Sequence, residues 1–529
     1  MNQSDFLVYK LSQFGLSDVF TIVGGHSLFI NKAFADSKNF KVTYFHHEQS
    51  ASMAADSYFR LKGKPAIVNI SAGPAALNTL NGVYGSFVDS IPVIYISGQP
   101  KYSQQVNSTG IPLRQYGDQE FDRIVDIVSS ITKYSKRFDE NTNLEYELEK
   151  AYSFSMGGRP GPVWIDLPID IQSKKFQESK FQFEEKSLPY QNNLSFKKKI
   201  ATDNQINLIF EKLVESKRPL IYAGPNIRTY GAYNSFLKFT ENINIPVVTS
   251  WNGHDVINTS NKLFVGRPGL RGERAGNWSV YSCDFLLIIG EHLSTRQIGY
   301  QSHNFSPDSF KVMIEQDINE LNKPSLNIDI GIYADLNNFL ERIYKLSYKL
   351  DKGKWSEWVK RTRYIWDKYH PQDLFYKSKK LINPYHFLFK LFENLKGNES
   401  IILGNGISVV GSFQAAIIKD GQNLFQNYGC ASMGYDLPAS IGAWIGNPKK
   451  VICITGEGSL QLNLQELQTL ISLKVNINIF VINNGGYDSI RQSQVMAFGE
   501  NVKFHGISSE SGLDFPDLDN IIKMSFLVI

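Results

Sequence analysis

Short apolar runs alternate with longer amphipathic stretches along most of the chain. The runs "PAIVNIS" and "IPVIYISG" are rich in β-branched residues and flank the helix-like stretch "AALNTLNGVYGSFVD". Much later, "KVICITG" and "INIFVINN" flank "LQLNLQELQTLISL" in the same way. Each unit follows the order strand, helix, strand, which is typical of α/β domains with largely parallel sheets. Since any two such units look alike, their similarity does not by itself establish an internal duplication.

Two polar segments interrupt this alternation. Residues 172–200 are polar and charged, which is typical of a linker, and residues 345–382 are basic and aromatic, with Trp355, Trp358 and Trp366 at helical spacing. Aromatic residues among basic ones can bind nucleic acid, but a connector that packs them on neighbouring domains is commoner. We therefore predict three α/β domains with mainly parallel sheets flanked by helices, over residues 1–175, 190–345 and 366–529.

Composition narrows the class of protein. The 529 residues are 42% hydrophobic and carry a net charge of only +4, which gives no electrostatic case for nucleic acid or a membrane surface. The N-terminus does not resemble a signal peptide, and no apolar run approaches the roughly 20 residues that span a bilayer. Cys283, Cys430 and Cys453 are far apart and lack CxxC spacing, as in a reduced protein. We predict a cytoplasmic protein without nucleic-acid or membrane partners.

A carboxylate lies inside a glycine turn at residues 455–460, "TGEGSL", directly after an apolar run. Gly456, Gly458 and Ser459 can present backbone N–H groups to a phosphate at the start of the next helix. Glu457 would repel a bare phosphate unless a metal lies between them. Because Mg²⁺ takes oxygen ligands and commonly joins a carboxylate to a diphosphate, the turn predicts a metal-bridged diphosphate.

A second ligand is expected from the neighbouring strand, since ligands of open parallel sheets bind at the carboxyl ends of the strands. The next run, "INIFVI", ends in Asn483, Asn484, Gly485 and Gly486. Alone, this sequence is typical of an ordinary turn. Its pairing with the acidic turn one βαβ unit upstream favours a metal site that Glu457 shares with an asparagine side chain and a glycine carbonyl of this loop.

The pairing of "GEGS" with "NN" just under thirty residues later resembles the signature of thiamine diphosphate enzymes. The resemblance covers nearly the whole chain. The segments "VGGHS", "FHHEQSASMAADSYFR" and "GRPGPVWIDLPID" look like the N-terminal pyrimidine-binding domain, and "YGCASMGYDLPASIGA" looks like the C-terminal diphosphate-binding domain. Within the family, the chain is most similar to the acetolactate synthase and pyruvate oxidase group. The resemblance implies a thiamine diphosphate-binding fold and the cofactors thiamine diphosphate and Mg²⁺, with Glu457, Asn484 and Gly486 as the metal ligands.

The resemblance also implies roles for matched residues. Glu48 resembles the glutamate that bonds to N1′ of the aminopyrimidine, so that the 4′-nitrogen can take the proton from C2. Met433 resembles the bulky residue that holds the cofactor bent, and Ala431 belongs to the same cofactor-binding segment. His26 and Gln119 lie where related enzymes place polar groups that face the substrate. For His26, a structural role in a turn is an equal alternative.

Several positions depart from the family pattern. Gly404 and Gly406 resemble the loop that cups the diphosphate, but Ile407 and Ser408 replace the usual Gln-His pair. Glu457 replaces the usual aspartate. A tryptophan that shapes the acceptor pocket of acetolactate synthases is replaced by Ser493. Decarboxylation of a 2-oxo acid is therefore better supported than any particular acceptor.

The central segment resembles the part of acetolactate synthases that holds FAD. Arg267, Arg296 and Asp317 are the expected contacts to the flavin phosphates or ribose. Because many family members keep this domain without flavin, the sequence leaves FAD binding open. Family members also usually continue for some tens of residues beyond "DFPDLDNIIKMSFLVI", so we expect a shortened C-terminal domain.

The resemblance implies an acetolactate synthase-like enzyme that decarboxylates a 2-oxo acid, with pyruvate as the default donor, and joins the product to a second carbonyl compound. It places the chain in branched-chain amino acid biosynthesis, as a homodimer or homotetramer with shared active sites, and leaves a regulatory small subunit open. Two alternatives remain. One is a thiamine diphosphate decarboxylase or carboligase of surface polysaccharide synthesis, and the other is a catalytically dead cofactor-binding protein.

Overall fold

The chain divides into two units in the computed structural model. One unit comprises Met1–Lys197 together with Gly429–Ile529, and the other comprises Lys198–Tyr428. This grouping does not test the predicted domain boundaries, which stay predictions. The structure describes residues 1–111, 113–115, 123–176, 199–348, 350, 351, 353–369 and 381–524.

The N-terminal part of the first unit is a parallel sheet whose described strands pair in the order β2-β1-β3-β4-β6-β5. Every residue of β3, β4 and β6 is buried, as expected for parallel strands covered by helices on both faces. The strands are β1 (Asp18–Thr21), β2 (Lys41–Tyr44), β3 (Ile67–Ile70), β4 (Ile94–Gln99), β5 (Tyr134–Arg137) and β6 (Val163–Pro168).

Helices connect and cover these strands. The third helix begins after the N-cap residue His47, whose Nδ1 accepts a hydrogen bond from the Gln49 N–H, and ends at Gly63, which has a φ of 70°. Residues 50–59 of this helix are all buried. The helices are α1 (Gln3–Gln13), α2 (Leu28–Asp36), α3 (Glu48–Lys62), α4 (Pro74–Asn78), α5 (Leu80–Val88), α6 (Val106–Thr109), α7 (Ile124–Val128), α8 (Leu144–Met156) and α9 (Ile169–Ser173).

The second unit contains two sets of parallel strands. The described strands β7 to β11 pair in the order β11-β10-β9-β7-β8, and β12 pairs with β13. The strands are β7 (Pro219–Ala223), β8 (Val247–Thr249), β9 (Phe285–Ile289), β10 (Phe310–Glu315), β11 (Ile330–Tyr333), β12 (Ser400–Leu403) and β13 (Asn423–Phe425).

Amphipathic helices surround the strands of the second unit. Within the predicted aromatic connector, Ser356–Tyr369 form a helix, and Trp355, Trp358 and Trp366 are buried in the core of this unit. The indole N–H of Trp355 donates to Ser216 O, and that of Trp358 donates to Pro219 O. The helices are α10 (Asp203–Glu215), α11 (Asn226–Thr229), α12 (Tyr233–Ile243), α13 (Arg274–Ser282), α14 (Thr295–Ile298), α15 (Ile318–Leu321), α16 (Leu336–Ser347), α17 (Ser356–Tyr369), α18 (Pro384–Asn394) and α19 (Ile407–Ala415).

The C-terminal part of the first unit returns to the strand and helix alternation. Strands β14 (Val451–Gly456) and β15 (Ile477–Ile482) are parallel and pair along their whole length. They correspond to the predicted runs "KVICITG" and "INIFVINN". The helices are α20 (Asp436–Gly446), α21 (Glu457–Gln461), α22 (Glu466–Leu473), α23 (Asp488–Phe498) and α24 (Leu518–Met524).

Helices α3 and α20 cross at very close range inside the first unit. A Cβ atom at Gly442 would lie 1.9 Å from Ala54 O, and one at Gly446 would lie 2.8 Å from Tyr58 O. Both helices are lined with small, fully buried residues at this crossing. The packing therefore ties the C-terminal part of the unit to the helix that begins with Glu48.

The predicted fold class is confirmed, because the strands form parallel sheets and alternate with helices throughout the described residues. The predicted helix between "PAIVNIS" and "IPVIYISG" is divided into α4 and α5. Most of the predicted polar linker, residues 177–198, lies outside the described residues. Within the described part of the chain, no helix is both long and apolar enough to cross a membrane.

Candidate functional site

Glu457 lies at the carboxyl end of β14, where it is the first residue of α21. Only 4% of the residue is exposed. Its Oε1 atom accepts hydrogen bonds from the backbone N–H groups of Gly486 at 2.8 Å and Asn484 at 3.3 Å. Because Gly456 pairs with Ile482 at the ends of the two parallel strands, both loops leave the sheet at the same edge. The structure thus brings together the two loops predicted to share a metal.

The side-chain amide of Asn484 faces oxygen atoms. One of its two terminal atoms lies 2.5 Å from Gly486 O and 3.2 Å from Glu457 Oε1. If this atom is the amide nitrogen, it donates to both oxygens. If it is the amide oxygen, it forms a group of three oxygen atoms with Gly486 O and Glu457 Oε1. Hydrogen-bond chemistry alone favours the nitrogen, and a cation between the three groups would favour the oxygen.

These three groups fit the donor set of a hard cation. A carboxylate, an amide oxygen and a main-chain carbonyl are all ligands that Mg²⁺ accepts, and Mg²⁺ usually leaves further positions for water and a substrate phosphate. No group of three or more His, Cys, Asp or Glu side chains that could hold a metal occurs among the described residues. A magnesium site in this part of the chain would therefore depend on one carboxylate and neutral oxygen ligands.

Two glycines in these loops are required by close contacts. A Cβ atom at Gly458 would lie 2.3 Å from the Tyr487 ring, and one at Gly486 would lie 2.2 Å from Ile507 O. Gly486 also has a φ of 139°, which L-residues rarely adopt. The glycines predicted on the basis of phosphate or metal binding thus also have a packing role.

The segment from Gly429 to Gly434 carries the predicted cofactor contacts Ala431 and Met433. Ala431 adopts a φ of 55°, and Met433 is only partly buried, unlike a core methionine. Helix α5 and the residue after it hold the segment: Asp89 Oδ1 accepts from the Gly429 N–H at 2.8 Å, and the Ser432 hydroxyl donates to Asn81 Oδ1 at 2.5 Å. The side chain of Met433 is therefore presented from a fixed loop.

Glu48 is the first residue of α3, and its side chain is partly exposed. Its Oε2 atom accepts a hydrogen bond from Asn78 Nδ2 at 3.0 Å. A carboxylate at a helix N-terminus is stabilised by the helix dipole. The arrangement fixes one carboxyl oxygen of Glu48 and leaves the other able to bond to a ligand.

The other two predicted catalytic residues differ in what the structure shows. His26 lies in a short 3₁₀ turn after β1 and is partly buried. Its backbone N–H donates to Ser71 Oγ, and its carbonyl accepts from Gln172 Nε2. Gln119 lies outside the described residues. The proposed substrate contacts of both residues stay predictions.

The predicted diphosphate loop, Gly404 to Gly406, follows β12 in the second unit. Gly406 has a φ of 62° and is the N-cap of α19. The hydroxyl of Ser408, in the first turn of that helix, is buried without a hydrogen-bond partner among the described residues. The N-terminus of a helix suits an anion such as a phosphate, and the role of the loop in diphosphate binding stays a prediction.

Comparisons with known proteins cover most of the chain. Residues 1–126 match the N-terminal TPP binding domain of thiamine pyrophosphate enzymes, residues 206–343 match their central domain, and residues 406–522 match their C-terminal TPP binding domain. The acetolactate synthase large subunit of Cyanidium caldarium is 30% identical over 480 residues, which is 90% of this chain and 79% of the relative.

Other relatives carry the same name. The acetolactate synthase large subunit of Lactococcus lactis is 28% identical over 94% of this chain and 83% of its own length, and isozyme 1 of Escherichia coli is 26% identical over 98% and 89%. The chain belongs to the thiamine diphosphate enzymes of the acetolactate synthase type. The predicted family and enzyme class are confirmed, and the family supports thiamine diphosphate as cofactor.

The three residues predicted to contact FAD in this acetolactate synthase-type enzyme have different environments. Arg267 is fully buried, and its guanidinium donates to Glu273 Oε1 at 2.7 Å and to Ala416 O at 2.7 Å. A flavin phosphate could reach it only if this pair opened. Arg296 is exposed and donates to Tyr428 O, and Asp317 is the N-cap of α15, where it accepts from the Asn319 N–H.

Sequence reasoning missed the residues that support the predicted site. Asn78 holds Glu48, and Asn81 and Asp89 hold the segment that carries Met433. Asp436 is fully buried, which raises the pKa of its carboxyl, and it accepts from two hydroxyls beside the Glu457 turn. Only Asp436 had a sequence signal, because it is the one charged residue in the otherwise apolar helix sequence "DLPASIGAWIG".

Proposed function

We propose that the enzyme decarboxylates pyruvate and joins the resulting two-carbon unit to a second pyruvate, so that two pyruvates give one acetolactate and one CO₂. The observation that carries this proposal is the meeting of Glu457, Asn484 and Gly486 at the carboxyl ends of β14 and β15. The names of the relatives support the reaction. Bound thiamine diphosphate supplies the carbon nucleophile and the electron sink for such a reaction.

We assign Mg²⁺ binding to Glu457, the side-chain oxygen of Asn484 and the carbonyl of Gly486. These three oxygen donors would hold the cation, and the cation would supply the positive charge that binds the diphosphate beside the Glu457 carboxylate. The backbone of Gly456, Gly458 and Ser459 at the start of α21 and the loop with Gly404 and Gly406 are the proposed contacts to the diphosphate.

We assign proton control to Glu48. Its role is to hold a proton at N1′ of the aminopyrimidine, while Asn78 keeps the carboxyl group oriented. Met433 and Ala431 are proposed to face the cofactor ring, and His26 and Gln119 the substrate. Ser493 is exposed and donates to Ser489 O, so it leaves more room for an acceptor than the tryptophan it replaces.

We also propose that the enzyme is a homo-oligomer with a smaller partner chain and that it binds FAD. A homodimer or homotetramer would let Glu48 of one subunit and Glu457 of another share a cofactor, as the resemblance to the family implies. The name "large subunit" of the relatives supports a smaller partner chain. FAD binding is proposed at Arg267, Arg296 and Asp317, and Arg267 would have to exchange its contact with Glu273 for a flavin phosphate. A cytoplasmic location, branched-chain amino acid biosynthesis and Mg²⁺ complete the proposal.

The test is purification with thiamine diphosphate, Mg²⁺ and pyruvate, with CO₂ release measured and the product identified. We expect CO₂ and acetolactate in equal amounts. A product formed only with an added aldehyde would instead identify a carboligase such as one of surface polysaccharide synthesis. Bound cofactor without CO₂ release from any 2-oxo acid would identify a catalytically dead protein. The comparisons favour neither alternative.

A further inference from the structure

The carboxyl group of Asp436 lies between two segments that are proposed to hold the cofactor. Asp436 is the first residue of α20 and is fully buried. Its Oδ2 atom accepts hydrogen bonds from Thr455 Oγ1 at 2.8 Å and from Ser459 Oγ at 2.6 Å. Because Thr455 and Ser459 stand on either side of Glu457, one oxygen atom holds both ends of the turn that carries the proposed metal ligand.

The same network extends to the segment that carries Met433. The backbone N–H of Gly434 donates to Ser459 Oγ at 2.8 Å, and Gly434 O accepts from Asn463 Nδ2 at 2.7 Å. The Ser459 hydroxyl, at the end of the Glu457 turn, thus contacts both the Met433 segment and Asp436. A shift of the Asp436 carboxyl would therefore move the proposed metal ligand and the proposed cofactor wedge relative to each other.

The directions of these hydrogen bonds explain why a carboxylate is present. The Ser459 hydroxyl accepts from Gly434, so its proton must go to Asp436. The Oδ1 atom of Asp436 accepts from the Leu437 N–H at 2.8 Å. Both oxygens are acceptors, which an amide cannot match, because its nitrogen would meet a donor in either orientation.

From this geometry we infer that Asp436 is a positioning residue, which sets the separation between Met433 and Glu457 and so prepares the site for thiamine diphosphate and Mg²⁺. The inference rests on the proposed function, because it concerns the same cofactor site. Asp436 contacts neither substrate nor metal in this account. Its effect passes through Ser459 and Thr455.

The test is Asp436→Asn, with thiamine diphosphate binding measured by calorimetry at a series of Mg²⁺ concentrations and thermal stability measured without cofactor. Asp18→Asn is the matched control. The buried carboxyl of Asp18 also accepts from two hydroxyls, those of Ser17 and Tyr58, both at 2.6 Å. Asp18 begins β1 and lies at the end of that strand opposite to the proposed site.

We expect both variants to melt at lower temperature, but only Asp436→Asn to weaken cofactor binding and to raise the Mg²⁺ concentration for half-saturation, each by about tenfold. Thr455→Val removes one of the two hydroxyl donors and should give a smaller shift in the same direction, which keeps the test valid if Asp436→Asn does not fold. Wild-type affinity in both Asp436→Asn and Thr455→Val, or equal losses in Asp18→Asn, would overturn the inference. A wild-type protein that binds no thiamine diphosphate would instead contradict the proposed function.

Discussion

The crossing of α3 and α20 predicts different outcomes for two glycine substitutions in the same helix: one destabilises the first unit and the other is nearly neutral. A Cβ at Gly442 would lie 1.9 Å from Ala54 O, and a Cβ at Gly446 would lie 2.8 Å from Tyr58 O. Real Cβ atoms are almost never closer than 3.0 Å to such a neighbour. In Gly442→Ala the helices must therefore separate by about 1.1 Å, whereas in Gly446→Ala about 0.2 Å is enough.

The free energy of unfolding follows from two opposing effects. Overpacking of a buried contact costs about 1–3 kcal/mol, and a shift of 1.1 Å between two fully packed helices belongs at the upper end of this range. Replacing a helical glycine by alanine recovers about 1 kcal/mol of helix propensity. We therefore expect Gly442→Ala to destabilise the first unit by about 2 kcal/mol and Gly446→Ala to be nearly neutral.

Calorimetric melting of the three proteins is the measurement. At about 2–4 °C per kcal/mol for a unit of this size, Gly442→Ala should lower the first-unit Tm by about 4–8 °C, and Gly446→Ala should change it by less than about 2 °C. Since α3 begins at Glu48, Gly442→Ala should also reduce turnover. Equal melting temperatures for both variants would refute the close crossing of the two helices.

The other predictions concern single groups of the site and of the second unit. Asn78→Ala should lower kcat by about tenfold with nearly unchanged cofactor affinity, because it frees the carboxyl of Glu48; steady-state CO₂ release checks this, and a loss of affinity at constant kcat would contradict it. Glu457→Asp should keep or tighten cofactor binding and Glu457→Ala should abolish it in Mg²⁺ titrations, whereas equal Mg²⁺ dependence in all forms would exclude the metal assignment. EDTA should weaken thiamine diphosphate binding by about tenfold or more, and Mg²⁺ should restore it; unchanged binding in EDTA would argue against a metal-bridged diphosphate. Arg267→Ala should destabilise the second unit by about 3–5 kcal/mol because it leaves Glu273 buried and unpaired, and the added change Glu273→Gln should recover part of the melting temperature; no recovery would contradict this pairing.

The strand ends of the site could be predicted from the sequence because they obey local rules. The runs before Gly456 and Asn483 are apolar and β-branched, and parallel strands end at a common edge, so the meeting of Glu457 with the Asn484 loop required no knowledge of distant contacts. The hydrogen bond from the Gly486 N–H to Glu457 was harder to predict from the sequence. It depends on the φ of 139° at that glycine, which no local pattern specifies.

The supporting residues could not be predicted, since they act across large sequence separations. Asn78 and Glu48 are 30 residues apart in the sequence, with β3 between them. Asp89 and Gly429 are 340 residues apart. Close approach of α3 to Gly442 depends equally on tertiary packing. For Arg267, tertiary packing gives a partner that the sequence did not predict. The resemblance to the family suggests a contact to a flavin phosphate, whereas in the structure the guanidinium is buried against Glu273.

We propose that this chain builds a working thiamine diphosphate site in which Glu48 controls a proton on the cofactor. Isotopic exchange of the cofactor C2 proton tests it most directly, with wild type compared to Glu48→Gln at saturating Mg²⁺. We expect rapid exchange in the wild type and a collapse of exchange in Glu48→Gln, with little change in cofactor affinity. Normal exchange with lost affinity in Glu48→Gln would contradict it.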